Sequence, residues 1–315
     1  MKNLTLPEGI SLVHVGDQKE LPALRIVTPL CQAVIAQQGA QVLSFQASGK
    51  KPLLWLSENA VFSPGKAIRG GIPLCFPWFG PHPGDAGKPA HGFARLREWE
   101  LVAATRQGDA CELRFRLQDD AATRALWPHA FAAILTITLA ETLILSLTVE
   151  NTGSQTFPLS LAFHSYFPVT RIQHLHLRGL EDTAFIDQLN QCNTVQAAQS
   201  PVRFSGETDR IYTQAGGHYH LLDEDSGHRI DITATHCHSA IVWNPWQEKT
   251  LRLDDMPADA WQKMVCVECG NVGSDTLSLA PGESRRFMLH LQNRQAPGGI
   301  LIQDSSLRRA VESGK

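Results

Sequence analysis

Ala130-Phe-Ala-Ala-Ile-Leu-Thr-Ile-Thr-Leu-Ala-Glu141-Thr-Leu-Ile-Leu-Ser-Leu-Thr-Val149 runs for twenty residues with a single charge. By length alone it would cross a bilayer as a helix. Its internal order says otherwise. Thr136, Thr138, Thr142, Ser146 and Thr148 fall mostly on alternate positions against Leu135, Ile137, Leu139, Leu143, Leu145, Leu147 and Val149, which is the period of a strand with one dry face. A spanning helix would also bury Glu141 near the bilayer centre at a cost of about 2.5–3.5 kcal/mol. The stretch therefore predicts two paired strands turning near Glu141.

Outward from this hairpin the chain keeps speaking of strands. Short β-prone runs occur at 11–15, 24–28, 31–36, 41–46, 97–104 and 111–117, separated by Gly, Pro or polar turns. After the hairpin they recur at 156–167, 172–177, 210–214, 218–222, 228–233, 239–243, 249–253, 262–269, 275–279 and 285–292. Only Asp119–Leu126 and Pro257–Gln262 carry helix signals, each one or two turns long. No βαβ rhythm, fixed-period repeat, low-complexity segment or long linker divides the chain. The expected architecture is all-β, a large antiparallel β-sandwich forming one domain over residues 1–293. Residues 294–315 follow as a C-terminal extension in which Asp304–Ser313 forms a short helix or frays.

Composition narrows the function class. Hydrophobic residues at 43% and charged residues at 19% describe a globular chain with ample core. A net charge of -3 with no basic block disfavours nucleic acid and anionic membranes as partners. Seven cysteines, an odd number without secretory spacing, suit reduced thiols. The N-terminus MKNLTLPEGISLVHVGDQKE has no apolar export core, so a cytoplasmic protein is expected. A monomer acting on a small molecule is the expected state.

The segment from Arg69 to Arg95 is organised differently. Four prolines and five glycines lie between Arg69 and Gly87 with no helical or strand period. Gly70 and Gly71 let backbone approach a ligand, while Pro73, Pro77 and Pro81 stiffen the loop that carries Arg69. A guanidinium held in this way suits a phosphate or carboxylate. An ordinary crossover packing its aromatics on a sheet would have the same composition.

Two other positions carry possible proton chemistry. In Leu161–Phe167, His164 shares a face with Ala162 and Tyr166, opposite Leu161, Phe163 and Phe167, so it should face something wet. In Met264–Cys269, Glu268 shares a face with Met264 and Cys266, and a carboxylate in so apolar a strand needs a partner or solvent. A hydrogen-bonded sheet histidine and a structural salt bridge would explain both. His174 with His176, and His236 with His238, each place two histidines on one strand face as a metal site would. No carboxylate with ligand spacing accompanies either pair, and the thiols of Cys266-Val-Glu-Cys269 point to opposite faces of a strand, so no metal is expected.

RGGIPLCFPWFG at 69–80 and HGFAR at 91–95 are joined by WPHAF at 127–131, LAFHSYF at 161–167, TDRIY at 208–212, VWNPW at 242–246, CVECGN at 266–271 and LAPGES at 279–284. This ordered set resembles the hexose-6-phosphate mutarotases of the aldose 1-epimerase superfamily over roughly residues 20–292. The resemblance implies a two-layer supersandwich, with His164 and Glu268 as the catalytic pair and Arg69 and Arg95 as phosphate ligands. It places His91 as a second active-site histidine and Asp209 as a sugar-hydroxyl acceptor, with Trp243 offering an apolar wall. A turn-capping role for His91 and Asp209, a rim salt bridge from Arg95 to Glu98 and core packing of Trp243 are the structural counterparts. The implied activity interconverts the anomers of a hexose 6-phosphate, with ionised Glu268 as base, protonated His164 as acid and no cofactor. An epimerase for unphosphorylated aldoses and a noncatalytic sugar-binding sandwich are the alternatives.

Overall fold

The computed structural model describes residues 4–18, 20–196 and 199–295. Phe131–Leu139 and Leu143–Asn151 form the expected hairpin, with Leu135 opposite Leu147 and Ile137 opposite Leu145. Their leucines and isoleucines on the inward face are buried, whereas Thr136, Thr138, Ser146 and Thr148 are half-buried on the other face. The alternation in the sequence is thus the alternation of the pleat.

This hairpin sits inside an antiparallel sheet of eight strands. Its order is Leu175–Arg178, His218–Asp223, His228–Thr235, Ser284–Gln295, Leu143–Asn151, Phe131–Leu139, Ala110–Gln118 and Glu100–Gln107. A second sheet of eight strands runs Asn193–Val195, Phe185–Asp187, Thr208–Tyr212, Ser239–Asn244, Met264–Asn271, Leu161–Phe163 and Leu74–Cys75, with Tyr166–Pro168 also paired to Met264–Asn271. Ile10–Val15, Leu21–Val27, Cys31–Ala36 and Gln41–Ala47 make a four-stranded meander. A bridge from Val42 to Ile72 ties that meander to the Arg69 loop.

One apolar cluster joins the two large sheets. Leu135, Ile137, Leu145 and Leu147 meet in it with Phe163, Val242, Val265 and Val267. Val265, Val267 and Cys269 belong to this core, while Met264 and Cys266 belong to a separate cluster with Tyr166 and Trp243. The second sheet therefore has a face turned away from the main core. That face carries the site.

Local departures have local causes. Residues 249–253, expected as a strand, instead end the helix Trp246–Thr250 and continue as a turn. Asn244 Oδ1 accepts the Trp246 amide at 2.9 Å and Thr250 Oγ1 donates to Trp246 O at 2.6 Å, so the Asn-Pro start outweighs the β-prone Leu-Arg-Leu. The run 156–167 is divided into Phe157–Leu159 and Leu161–Phe163, with Tyr166–Pro168 beyond. The expected helix at 119–126 forms as Ala121–Leu126 behind a reciprocal cap between Asp120 and Thr123. The last strand runs to Gln295, across the expected boundary at 293, and the helix expected at Asp304–Ser313 lies outside the described residues. No helix among the described residues is long and apolar enough to cross a membrane.

The hairpin's two faces should differ in energetic weight. Leu147, fully buried in the shared core, is expected to cost about 2–5 kcal/mol when cut to alanine. Thr148→Ala is expected to cost no more than about 0.5 kcal/mol. Urea unfolding of both variants checks this; equal costs would contradict the inward assignment.

Candidate active site

Register brings the two proton-bearing residues together. Phe163 pairs with Cys269 and Tyr166 with Cys266, which brackets His164 opposite Glu268. His164 Nε2 stands 3.3 Å from Glu268 Oε1. Across the same sheet Ile241 pairs with Glu268, Trp243 with Cys266 and Asp209 with Trp243, so Asp209 and Trp243 lie on the face that carries Glu268.

Both members of the pair are buried rather than wet, at 7% exposure for His164 and 2% for Glu268. Burial drives the Glu268 carboxyl well above its ordinary range, aided by the charge of Asp209 and opposed by Arg95. Burial likewise pushes His164 well down, with His91, Arg95 and Arg69 adding to it. Both shifts act against the ionised glutamate and protonated histidine expected from the sequence and toward a neutral pair. Glu268 Oε2, His164 Nδ1 and Arg95 Nε are buried without a partner among the described residues. Buried polar atoms are normally hydrogen-bonded, so these three are open to a further partner, water or ligand.

The Arg69 loop is held on several sides. Gln41 Nε2 donates to Ile68 O at 3.2 Å and to Gly70 O at 2.8 Å, gripping the backbone on either side of Arg69. Gly70 and Gly71 take φ of 117° and 63°. A Cβ would lie 2.6 Å from Leu56 Cα at the first and 2.1 Å from Val42 O at the second, so glycine is required at both. The Arg69 side chain donates from Nε to Asp255 Oδ2 and from Nη1 to Tyr166 Oη, each at 3.1 Å. Its Nη2 has no protein partner among the described residues.

His91 is both a turn holder and a neighbour of the pair. It adopts φ of 63°, and its Nδ1 accepts the Gly80 amide at 3.3 Å while lying 3.5 Å from Cys75 Sγ. With Nδ1 accepting, Nε2 carries the proton. Its ring centroid is 5.8 Å from that of His164. Burial first, then Arg95 and Arg69, push it down to about 3.

The remaining expected residues fall as follows. Arg95, in the single turn Ala94–Leu96, donates from Nη2 to Ala90 O at 3.1 Å and makes no ion pair with Glu98 among the described residues. Its charge reaches His91, His164 and Glu268. Asp209 is raised by burial and opposed by Lys249. Trp243 packs with Met256, Ala260 and Met264 and stands edge-on to His164 at 6.5 Å. Three of the four histidines in these pairs have protein neighbours: His174 Nδ1 meets Asp225 at 2.8 Å, His176 Nε2 approaches Glu224 Oε1 to 2.7 Å without hydrogen-bond alignment, and His236 Nδ1 donates to Arg286 O at 2.9 Å.

Sequence reasoning missed three residues. Tyr166 stacks on His164 with centroids 4.8 Å apart and planes at 12°, and Trp55 stacks on Tyr166 at 5.8 Å. Tyr166 had a signal, since it shares the face of His164 at period 2. Asp255, which orients Arg69 across 186 positions of chain, and Trp55 had none.

The sequence profile of the family described as aldose 1-epimerase matches residues 22–292. A Salmonella typhimurium protein, named by inference as a glucose-6-phosphate 1-epimerase, is 35% identical over 270 residues, covering 85% of this chain and 90% of its own. The crystal structure of a protein from the same organism, described by inference as a mutarotase, superposes with a TM-score of 0.86 at 30% identity, over 93% of this chain and 96% of that one. A galactose mutarotase-like protein from Clostridium acetobutylicum, at 15% identity and a TM-score of 0.67 over 92% of this chain and all 100% of its own, shares the fold.

The depressed His91 has a consequence for stability. Its unfolded counterpart titrates near 6.5 and the folded ring near about 3. As pH falls through that window the unfolded chain takes up a proton that the folded chain refuses, so stability is lost on the acid side and unaffected above it. His91→Asn is expected to flatten the acid limb of stability, measured by urea unfolding at a series of pH values. Nitrogen NMR should show a neutral ring with Nε2 protonated at about pH 6; an imidazolium there would overturn the assignment.

Proposed function

The chain belongs to the aldose 1-epimerase family, and we propose that it interconverts the α and β anomers of a hexose 6-phosphate, glucose 6-phosphate first among them. The observation that carries this reading is the buried His164–Glu268 pair, 3.3 Å apart, under the converging charges of Arg69 and Arg95.

Ring opening needs a proton removed from the C1 hydroxyl and one given to the ring oxygen as the C1–O5 bond breaks to leave the aldehyde. Rotation about C1–C2 and the reverse transfers close the ring on the other face. The pair holds one proton for this exchange. With that proton on His164, Glu268 is the base and His164 the acid, and the roles reverse on closure. Aqueous mutarotation already proceeds, so positioning and proton transfer are what the protein adds. Arg69 through Nη2, together with Arg95, takes the 6-phosphate. His91 offers its Nε2 proton to a sugar oxygen, Asp209 accepts a sugar hydroxyl, and Trp243 lies against the apolar side of the ring.

The same reading takes residues 1–293 as one domain, supported by the core shared between the sheets. It also takes the chain as a cytoplasmic monomer, for which seven free thiols support a reducing compartment.

The test follows α-to-β relaxation of glucose 6-phosphate beside glucose and galactose, with and without protein. His164→Ala and Glu268→Gln are each expected to lose about 10²–10⁴-fold in kcat; near wild-type turnover in either would sink the assignment. Arg69→Ala removes charged hydrogen bonds contributing about 1.5–3 kcal/mol. Its KM for glucose 6-phosphate should rise at least about tenfold more than that for glucose, and equal effects on both sugars would refute a phosphate role.

A further inference from the structure

We propose that the phosphate of the substrate switches the catalytic pair on, by moving the shared proton from Glu268 to His164, and that Tyr166 is the positioning residue coupling Arg69 to His164. The inference rests on the hexose-phosphate reading above and assigns the phosphate a second task beyond holding the substrate.

The geometry is a continuous path. Arg69 Nη1 donates to Tyr166 Oη at 3.1 Å, and the Tyr166 ring stacks with Trp55 at 5.8 Å and with His164 at 4.8 Å. Tyr166 is 2% exposed and packed against both rings, so it cannot follow a movement of Arg69 without disturbing the histidine. Arg69 is tied on its other side to Asp255, leaving Nη2 as the edge to which a phosphate can bind.

The electrostatics run in the same direction. The groups bearing on His164 are Glu268, His91, Tyr166, Arg95 and Arg69, and the two guanidinium charges disfavour a second cation on its ring. A phosphate dianion between those arginines cancels their field at His164. The positive charge then becomes tolerable on the imidazole, and the proton passes from the Glu268 carboxyl to Nε2 across 3.3 Å. One O–H bond is broken and one N–H bond formed, with no change in the net charge of the pair. Glucose lacking phosphate would meet the neutral pair, in which the intended base already holds a proton. Discrimination between the two sugars would then appear in kcat as well as in KM, as happens when binding at a remote group is used at the reacting centre.

The substrate can be supplied in two pieces. Relaxation of α-glucose is measured with wild-type protein, with and without inorganic phosphate, against sodium chloride at matched ionic strength. The protein-free rate at each phosphate concentration is subtracted, because phosphate itself catalyses mutarotation. Saturating phosphate is expected to raise kcat for glucose by about tenfold or more with little change in KM, an effect of roughly 1.4 kcal/mol. That ratio should fall to about one in Arg69→Ala and to less than half its wild-type value in Tyr166→Phe, which keeps the ring stack and loses the hydroxyl. Each ratio is taken within one variant, so a general loss of activity cancels.

Nitrogen NMR of histidine-labelled wild-type protein gives an independent readout. Phosphate alone, without sugar, should convert His164 from neutral imidazole to imidazolium. Acceleration of glucose 6-phosphate together with a phosphate ratio near one on glucose would overturn the switch and leave the function standing. An unchanged ratio in Tyr166→Phe would overturn the coupling role of Tyr166. No acceleration of glucose 6-phosphate at all would overturn the underlying reading, and the switch with it.

Discussion

Everything at this site depends on one antiparallel register. The segment Leu161–Pro168 lies against Met264–Asn271 so that Phe163 meets Cys269 and Tyr166 meets Cys266. A shift of one residue would turn His164 toward the valines of the core and leave Glu268 on the opposite face. The register cannot drift easily, because Phe163, Phe167, Val265 and Val267 all enter the shared apolar cluster on the opposite face. Gly270 adds a steric stop, since a Cβ there would lie 2.0 Å from Leu161 O. Core packing on one face of the sheet thus sets the separation of His164 and Glu268 on the other.

The Arg69–Arg95 segment works against this pair as much as with it. In the proposed reading its arginines bind the phosphate, yet the same charges lower His91 and His164. For His91 that opposition is useful. A ring held neutral, with Nδ1 already accepting from the Gly80 amide, can only donate from Nε2, so its role toward an oxygen ligand is unambiguous. For His164 it leaves a pair whose proton has two possible homes. Asp209 sharpens the balance from the other side by making ionisation of Glu268 harder.

What could be read from the sequence was whatever depends on neighbours along the chain. The hairpin at 131–151, the inward face of Leu161–Phe167 and the shared face of Met264, Cys266 and Glu268 all follow from period 2. The stiffness of the Arg69 loop follows from proline and glycine chemistry. The meeting of His164 with Glu268 does not, because it depends on a pairing across about a hundred positions, and only family likeness pointed to it. Asp255 and Trp55 are fixed by loop closures with no periodic trace. Residues 249–253 show the opposite failure, where a genuine β-prone pattern lost to the side chain of Asn244 five positions earlier. The local hydrogen bond was stronger evidence than the pattern.

The buried pair also bears on why such a site suits a reversible isomerisation. Anomer exchange passes through the same open chain in both directions, so neither group can be permanently acid or permanently base. In water a glutamate and a histidine would differ in proton affinity by about two units in favour of the histidine. Here burial raises one and lowers the other, drawing the two affinities together. A pair biased strongly toward the ionic form would bind its proton too tightly on His164 to release it to the ring oxygen. One biased strongly toward the neutral form would leave Glu268 unable to accept from C1. The arginines, Asp209 and the depth of the sheet face act on that bias from different directions, so the site can be tuned by charges that never touch the reacting atoms.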